Sequence, residues 1–137
     1  MVACIELQDG RIVLGKRSED LTAVSAAIIN AIKELSGVEH KKYIVIRDII
    51  TPVKEMRTKV LGNDSTMLRA DERMVALAIS ASKDKDAERA YAKISELSGC
   101  DIHCSVTQYP QDLSILRKLG MNVTCEPVLQ TKIQFGS

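Results

Sequence analysis

The stretch 9–35 constrains the fold of this chain more than any other. Apolar side chains recur in it every three or four residues from Leu21 to Leu35, which is the spacing of a helix with one buried face. Asp20 stands where a side-chain oxygen could cap the first free amides, and Gly37 fits just past the last turn. The many alanines predict that this helix packs closely against a sheet or a neighbouring helix.

A β-hairpin is predicted in front of that helix. The runs 2–7 and 11–14 are apolar and β-prone, and Asp9 and Gly10 between them are typical of a tight hairpin turn. The chain therefore opens with two antiparallel strands.

Apolar strand-like runs and helical patterns then follow each other along the chain. Strands are predicted at 43–46, 100–107 and 121–125, and helices at 49–61, 70–82, from the polar break 83–86 to about 97, and at 110–119. Pro52 is expected in the first turn of the 49–61 helix, and Tyr91 on the inner stripe of the helix that ends near 97. A turn at 126–127 leads into an extended tail at 129–135.

This order predicts an α/β fold of one domain, residues 1–137. Strands that alternate with helices after a hairpin favour a mixed sheet with helices on both faces, which is a three-layer α/β/α sandwich. At 137 residues, the chain should bury roughly two thirds of the surface that its unfolded form exposes.

Composition excludes several classes of partner. A formal net charge of +1 provides no overall field for nucleic acid or anionic lipid, and 3% aromatic residues argue against base stacking. No run approaches the ~18 apolar residues of a membrane helix, and no signal peptide is recognisable at the start. We therefore expect a cytoplasmic protein with reduced cysteines, without nucleic-acid or membrane partners.

Two stretches resemble, in order and character, the metal motifs of cytidine deaminases. Those enzymes place a His or Cys, with a Glu two residues on, at one helix start, and Pro-Cys-x-x-Cys at the next. Here the stretch 22–26 contains no His, Cys or Glu, and Val53 and Met56 occupy the two cysteine positions after Pro52. The resemblance implies a cytidine-deaminase-like fold without the zinc motifs, and zinc-dependent deamination is not expected.

Cys100, His103, Cys104 and Cys125 are the other candidates for metal ligands. Because side chains alternate along a strand, His103 should point away from Cys104, whereas Cys125 could approach the other thiols from a neighbouring strand. Buried free cysteines are common, so a structural role is favoured, and we expect neither a metal nor a cofactor.

Polar residues beside the helix starts are the best candidates for ligand binding. They flank the positions where a deaminase-type fold would open its cleft, and they are Glu19, Asp20, Lys54, Arg57, Asp71 and Arg73. No phosphate-binding glycine motif and no nucleophile motif accompanies them, so no catalytic residue can be named.

A closer resemblance runs through the whole chain. The segments IELQDGRIVLGK, TKVLGNDSTMLRADE, VALAISAS, LSGCDIHCSV and KLGMNVTCEPVLQTK are similar to the C-terminal domain of an uncharacterised bacterial family, number eighteen-forty-six in the domain-of-unknown-function series. This resemblance implies a C-terminal piece of a protein of about five hundred residues, with a cytidine-deaminase-like topology and no established activity.

Two hypotheses about function follow. In the first, this is a non-catalytic domain that packs on upstream domains or forms a homo-oligomer, with the apolar helix 70–82 as the contact surface. In the second, it contributes to a nucleotide or small-molecule site in a full-length enzyme of unknown activity. The sequence favours the first and does not decide whether the full-length protein is an enzyme.

Overall fold

The chain folds around a mixed sheet of four strands, and the computed structural model describes residues 1–65, 67–105 and 109–126. The strands are β1 (Val2–Glu6), β2 (Ile12–Lys16), β3 (Asp101–Cys104) and β4 (Asn122–Cys125). They lie in the order β2-β1-β3-β4. β1 runs antiparallel to both neighbours, whereas β3 and β4 are parallel.

Five α-helices accompany the sheet. They are α1 (Ala23–Ser36), α2 (Arg47–Glu55), α3 (Ala70–Ala81), α4 (Lys85–Tyr91) and α5 (Pro110–Lys118). A wide π-helical turn, Met56–Val60, continues α2, and a 3-10 turn, Ile94–Leu97, follows α4. Among the described residues, no helix combines the length and the apolar character needed to cross a membrane.

Close packing of α1 on the hairpin explains the alanines of this helix. An added Cβ at Gly15 of β2 would lie 2.1 Å from the backbone nitrogen of Ala27. Ala23, Ala27 and Ala31 are fully buried along the contact. The predicted hairpin and the predicted closely packed helix are confirmed.

All five helices lie on one side of the sheet. The inner face of the strands is buried together with side chains from α1, α3, α4 and α5, and α2 packs on α3. The buried strand residues are Ala3, Ile5, Val13, Ile102 and Cys104. The α/β class and the mixed sheet are thus confirmed.

The outer sheet face carries no helix in the part of the chain that the structure describes. Its side chains on β2, β3 and β4 are exposed, and those of Val2 and Cys4 on β1 are half-buried. The described residues therefore form two layers, one of helices and one of strands. The third layer of the predicted sandwich remains a prediction.

The strand predicted at 43–46 is wrong. This segment is an irregular connection from α1 to α2, in which Tyr43 is 85% exposed and Ile44 is buried. The backbone N–H of Ile46 donates to the hydroxyl of Ser80 at 3.0 Å instead of to a strand. β1 and β3 hold the central positions of the sheet, and tertiary contacts such as this one override the β propensity of the segment.

Two details of the predicted helices also change. α2 begins at Arg47, so Pro52 lies inside the helix rather than in its first turn. The helix then widens after Glu55, where the N–H of Leu61 donates to the carbonyl of Met56 at 2.9 Å. Tyr91 is 43% exposed at the end of α4 and does not belong to the inner stripe.

The predicted chain end lies mostly outside the described residues. The turn at 126–127 and the tail at 129–135 extend beyond residue 126, and the end of the predicted 100–107 strand falls within the undescribed positions 106–108. β3 itself ends at Cys104.

Candidate functional site

The starts of α1 and α3 lie side by side. Leu21 and Leu68, each two residues before the first residue of its helix, form an isolated parallel bridge. Thr22 rather than Asp20 caps α1, because its hydroxyl accepts a hydrogen bond from the N–H of Ser25 at 3.1 Å. The prediction that Asp20 caps this helix is therefore wrong, since its carboxylate is engaged elsewhere.

Asp112 of α5 caps the start of α3. Its Oδ1 accepts a hydrogen bond from the N–H of Ala70 at 2.7 Å, and the side chain is fully buried. Burial raises the pKa of Asp112, whereas the hydrogen bonds from Ala70 and Thr22 act in the opposite direction. These side chains form a capping network at the paired helix starts.

The helix start beside that of α1 belongs to α3 and not to α2. α2 packs on α3 and on the π-helical turn. The comparison of Pro52, Val53 and Met56 with the second deaminase motif therefore concerned a helix that does not lie beside α1. Within the described ranges, no three His, Cys, Asp or Glu residues are grouped as metal ligands would be.

Three of the predicted ligand residues come together next to the paired helix starts. The carboxylate of Asp20 accepts from Nζ of Lys54 at 2.9 Å, and Nη2 of Arg73 donates to the backbone carbonyl of Asp20. The Lys54 ammonium lowers the pKa of Asp20. Arg73 is 8% exposed, and its Nε has no hydrogen-bond partner among the described residues.

Two adjoining cavities open at this cluster. One has a volume of about 470 Å³ and is bordered by β2, α1 and the 40–45 connection. The other has a volume of about 870 Å³ and lies between that connection, α2 and the end of α3. Both are lined by Ser18, Leu21, Tyr43, Val45 and Arg73, so we treat them as one depression, the Arg73 cleft.

The other three predicted ligand residues lie outside the Arg73 cleft. Arg57 is 8% exposed and donates to both carboxylate oxygens of Glu72, at 3.0 and 3.1 Å, and to the carbonyl of Ser65. Asp71 borders a smaller cavity beside α5, and Glu19 is exposed and borders neither part of the cleft. Their role as ligand residues remains a prediction.

Sequence reasoning missed several cations that line the cleft. Lys33 of α1 is buried, its Nζ donates to the carbonyl of His40 at 2.9 Å, and burial lowers its pKa. The helical period contained a signal, because Lys33 follows Ala26 and Ile29 by seven and four residues and shares their face. The position of Lys16 on β2 could not be related to the cleft without the path of residues 40–45.

The cysteines and His103 occupy the faces that the strand period predicts. Cys104 and Cys125 are paired across β3 and β4, and burial, with Cys125 beside it, raises the pKa of Cys104 to about 12. His103 lies on the outer face opposite Cys4. Its Nδ1 is hydrogen-bonded to the hydroxyl of Thr124 at 2.6 Å, and its Nε2 to the carboxylate of Glu126 at 2.6 Å. Neither ring nitrogen is therefore directed at the Cys4 thiol.

On β1 and β2, the outer sheet face carries four apolar side chains, Val2, Cys4, Ile12 and Leu14, and two charged ones, Glu6 and Lys16. Cys4 is paired with Leu14, and Glu6 with Ile12, across the hairpin. Ile12 is 57% exposed and Leu14 is 52% exposed. Over β3 and β4, by contrast, the same face is polar and its side chains hydrogen-bond one another.

Comparison with known proteins agrees with the resemblance seen in the sequence. Residues 1–135 match the family described as "Domain of unknown function DUF1846, C-terminal". The chain is 38% identical over 130 residues to a UPF0371 protein of Corynebacterium aurimucosum and 39% identical over 128 residues to one of Corynebacterium glutamicum. It is 36% identical over 126 residues to UPF0371 protein stu1377 of Streptococcus thermophilus.

These matches cover 95%, 93% and 92% of this chain but 26% of each relative. The chain thus spans about a quarter of the length of the curated relatives it matches. With a family match over nearly all its residues, the chain belongs to the family of C-terminal domains of unknown function DUF1846.

Proposed function

We propose that this chain is a non-catalytic packing domain whose outer sheet face is covered by the upstream part of a longer polypeptide. The observation that carries this proposal is the exposure of Ile12 and Leu14, at 57% and 52%, beside the half-buried Val2 and Cys4. Apolar side chains at neighbouring sheet positions form a continuous patch, in contrast to single exposed residues, which are common on any surface.

The length of the relatives favours an occupant from the same polypeptide. About three quarters of each relative lies outside the matched segment, and the family model describes that segment as C-terminal. A helix layer from the upstream part, packed on the apolar side chains of β1 and β2, would complete the three-layer sandwich. α3 is the alternative surface, since it also exposes two large apolar residues, Val75 and Ile79.

Alkylation of Cys4 tests this proposal. Cys4 lies on the outer sheet face, so iodoacetamide should modify it faster in the 137-residue chain than in the longer polypeptide. A Tyr91→Cys variant is the matched control, because this position is 43% exposed on α4, on the opposite side of the sheet, and should react equally in both. Replacement of Ile12 and Leu14 by Glu in the longer polypeptide should restore the reactivity of Cys4.

Equal Cys4 rates in the two proteins would contradict the proposal. Protection that increases with protein concentration, even without the upstream part, would assign the outer sheet face to a second copy of this chain and would also overturn intrachain packing.

For the fold we propose a cytidine-deaminase-like topology without a zinc site. The paired starts of α1 and α3 support the topology. The polar side chains between these starts are those of Thr22, Ser25 and Asp112, and a single carboxylate does not make a tetrahedral zinc site. Metal analysis of the purified chain should find no stoichiometric zinc; one zinc per chain would refute this proposal.

We also propose residence in the cytoplasm. All four cysteines are free thiols, including Cys104 and Cys125, which are neighbours across two strands. Reduced thiols in such proximity are typical of a reducing compartment. Thiol titration of the protein purified without reductant should give four thiols per chain.

A further inference from the structure

The Arg73 cleft has a charge balance unlike that of the whole chain. Among the residues that line it, seven cations are accompanied by two carboxylates, whereas the chain carries a net charge of +1. The two carboxylates are already engaged, because Asp20 pairs with Lys54 at 2.9 Å and Asp84 with Lys42 at 3.4 Å. The smaller of the two cavities has no carboxylate in its lining.

Five cations of the cleft have no carboxylate within salt-bridge distance among the described residues. They are Lys16, Lys33, Arg47, Arg73 and Lys83. Like charges gathered without counterions repel one another and destabilise a fold, so an anion that neutralises them would be bound favourably.

Arg73 provides an independent sign of a missing ligand. Only 8% of the Arg73 surface is exposed, and its Nε makes no hydrogen bond with any described residue. Nη2 of the same guanidinium is bonded to the carbonyl of Asp20, but a buried Nε without a partner is costly, and the guanidinium is the side chain best suited to phosphate oxygens. Arg73 lines both cavities, so an anion in either one can reach its side chain.

The remaining lining of the cleft is mostly apolar. Leu21, Val45 and the ring of Tyr43 border both cavities, and Tyr43 is 85% exposed at their rim. Ser18, Asn30 and His40 add polar groups to the smaller cavity that can hydrogen-bond sugar hydroxyls. The aromatic ring and the aliphatic walls suit the flat, largely apolar face of a base.

We propose that the Arg73 cleft binds a nucleotide, with a phosphoryl group on the Arg73 guanidinium and the base against the apolar wall. Lys16 and Lys33 neutralise the rest of the phosphate charge from β2 and α1. The cleft shares Leu14 with the outer sheet face, and Lys16 lies on that face of β2, so the binding experiments use the 137-residue chain, in which the upstream part is absent.

Calorimetric titration of the 137-residue chain with ADP, inorganic pyrophosphate and adenosine at one low ionic strength tests the proposal. ADP should bind about tenfold more tightly than either fragment, because only ADP engages both the cations and the apolar wall. Raising the salt concentration should weaken binding, since the contacts to the phosphates are screened.

Variants locate the site. Arg73→Met should weaken ADP binding by about tenfold or more, and Lys16→Ala by about threefold. Lys59→Ala is the matched control, because this lysine is 74% exposed outside the cleft and should leave binding unchanged. If Arg73→Met does not fold, as judged by circular dichroism, Lys16→Ala decides.

Three results would overturn the proposal. They are no ADP binding at millimolar concentration, ADP binding that neither Arg73→Met nor Lys16→Ala changes, and pyrophosphate binding as tight as that of ADP. The last result would assign the cleft to a small inorganic anion.

Discussion

At the scale of single residues, two glycines of the hairpin are required for different reasons. Gly15 has no positive φ, but an added Cβ would lie 2.1 Å from the nitrogen of Ala27 and 2.6 Å from the carbonyl oxygen of Ala23. Gly10 has a φ of 92° with nothing within 4 Å of an added Cβ. Contact with α1 excludes a side chain at the first position, and backbone conformation disfavours one at the second.

Gly15→Ala should therefore destabilise the chain more than Gly10→Ala. Overpacking against helix backbone should cost about 3 kcal/mol or more, because α1 must move off the sheet, whereas the turn position should cost about 1–2 kcal/mol. Urea unfolding of the two variants measures the difference in free energy. Equal losses would mean that α1 can shift away from β2 without cost.

At the scale of elements, buried polar side chains hold the start of α3 in place. Glu72 accepts from the N–H of Arg69 at 2.8 Å and from the guanidinium of Arg57, which also donates to the carbonyl of Ser65. Asp112 accepts from the N–H of Ala70. The π-helical turn and α5 are thereby connected to the first turn of α3, and free amides at this helix start gain hydrogen-bond partners.

Loss of the Arg57 guanidinium should loosen the connection from the π-helical turn to α3. Arg57→Ala leaves Glu72 without its cation and Ser65 without its donor, so the unfolding free energy should fall by about 1–3 kcal/mol. Lys59→Ala, in the same turn but 74% exposed, should change it by less than about 0.5 kcal/mol. The same loss in both variants would show that the contacts of Arg57 do not stabilise this region.

The raised pKa of Asp112 should make stability depend on pH. Burial is the main cause of the raised pKa, while nearby Arg69 lowers the pKa and nearby Asp71 raises it. The folded state therefore keeps the proton at pH values where the unfolded carboxyl, with its ordinary pKa of 3.8, has lost it. The folded state binds more protons in this window, so stability falls as pH rises from about 4 through the folded pKa.

Asp112→Asn should abolish that fall, because the amide does not titrate and its oxygen can still accept from Ala70. Urea unfolding between pH 4 and 8 should show the variant gaining stability relative to the wild type as pH rises. The exposed Asp64→Asn serves as control and should leave the pH profile unchanged. Parallel profiles for wild type and Asp112→Asn would contradict the prediction.

At the scale of the whole molecule, the two faces of the sheet have different environments. The inner face lies in the core with all the helices, whereas the outer sheet face is open in the part of the chain that the structure describes. The Arg73 cleft opens between α1, α2 and the edge strand β2, and its lining includes Leu14 of the outer sheet face, so a nucleotide and an upstream domain would occupy neighbouring surfaces.

Thiol reactivity should report this asymmetry directly. Cys4 on the outer face should react with iodoacetamide under native conditions, whereas the buried Cys104, with its pKa near 12, should react only when the chain unfolds. Mass spectrometry after timed alkylation at pH 8 gives the order, and the same measurement in urea should equalise the two rates. Faster modification of Cys104 than of Cys4 in the native chain would contradict the described sheet.

The sequence by itself determined the elements whose signals are short-range. The hairpin depends on Asp9 and Gly10, α1 on its apolar period and Gly37, and α5 on Pro110 at its first position and Gly120 after its end. The alternation of side chains also predicted that His103 would lie on the face opposite to Cys104. These features follow from residues within one or two turns of each other, so local rules suffice.

Only the tertiary structure decided which segments meet. The β-prone residues 43–46 stay outside the sheet, where Ile46 is bonded to Ser80 of α3, and α3 rather than α2 begins beside α1. The Arg73 cleft combines cations that are far apart in sequence, Lys16 and Lys33 among them. Such proximity depends on competition among long-range contacts for the same sheet edges and helix faces, which no local pattern encodes.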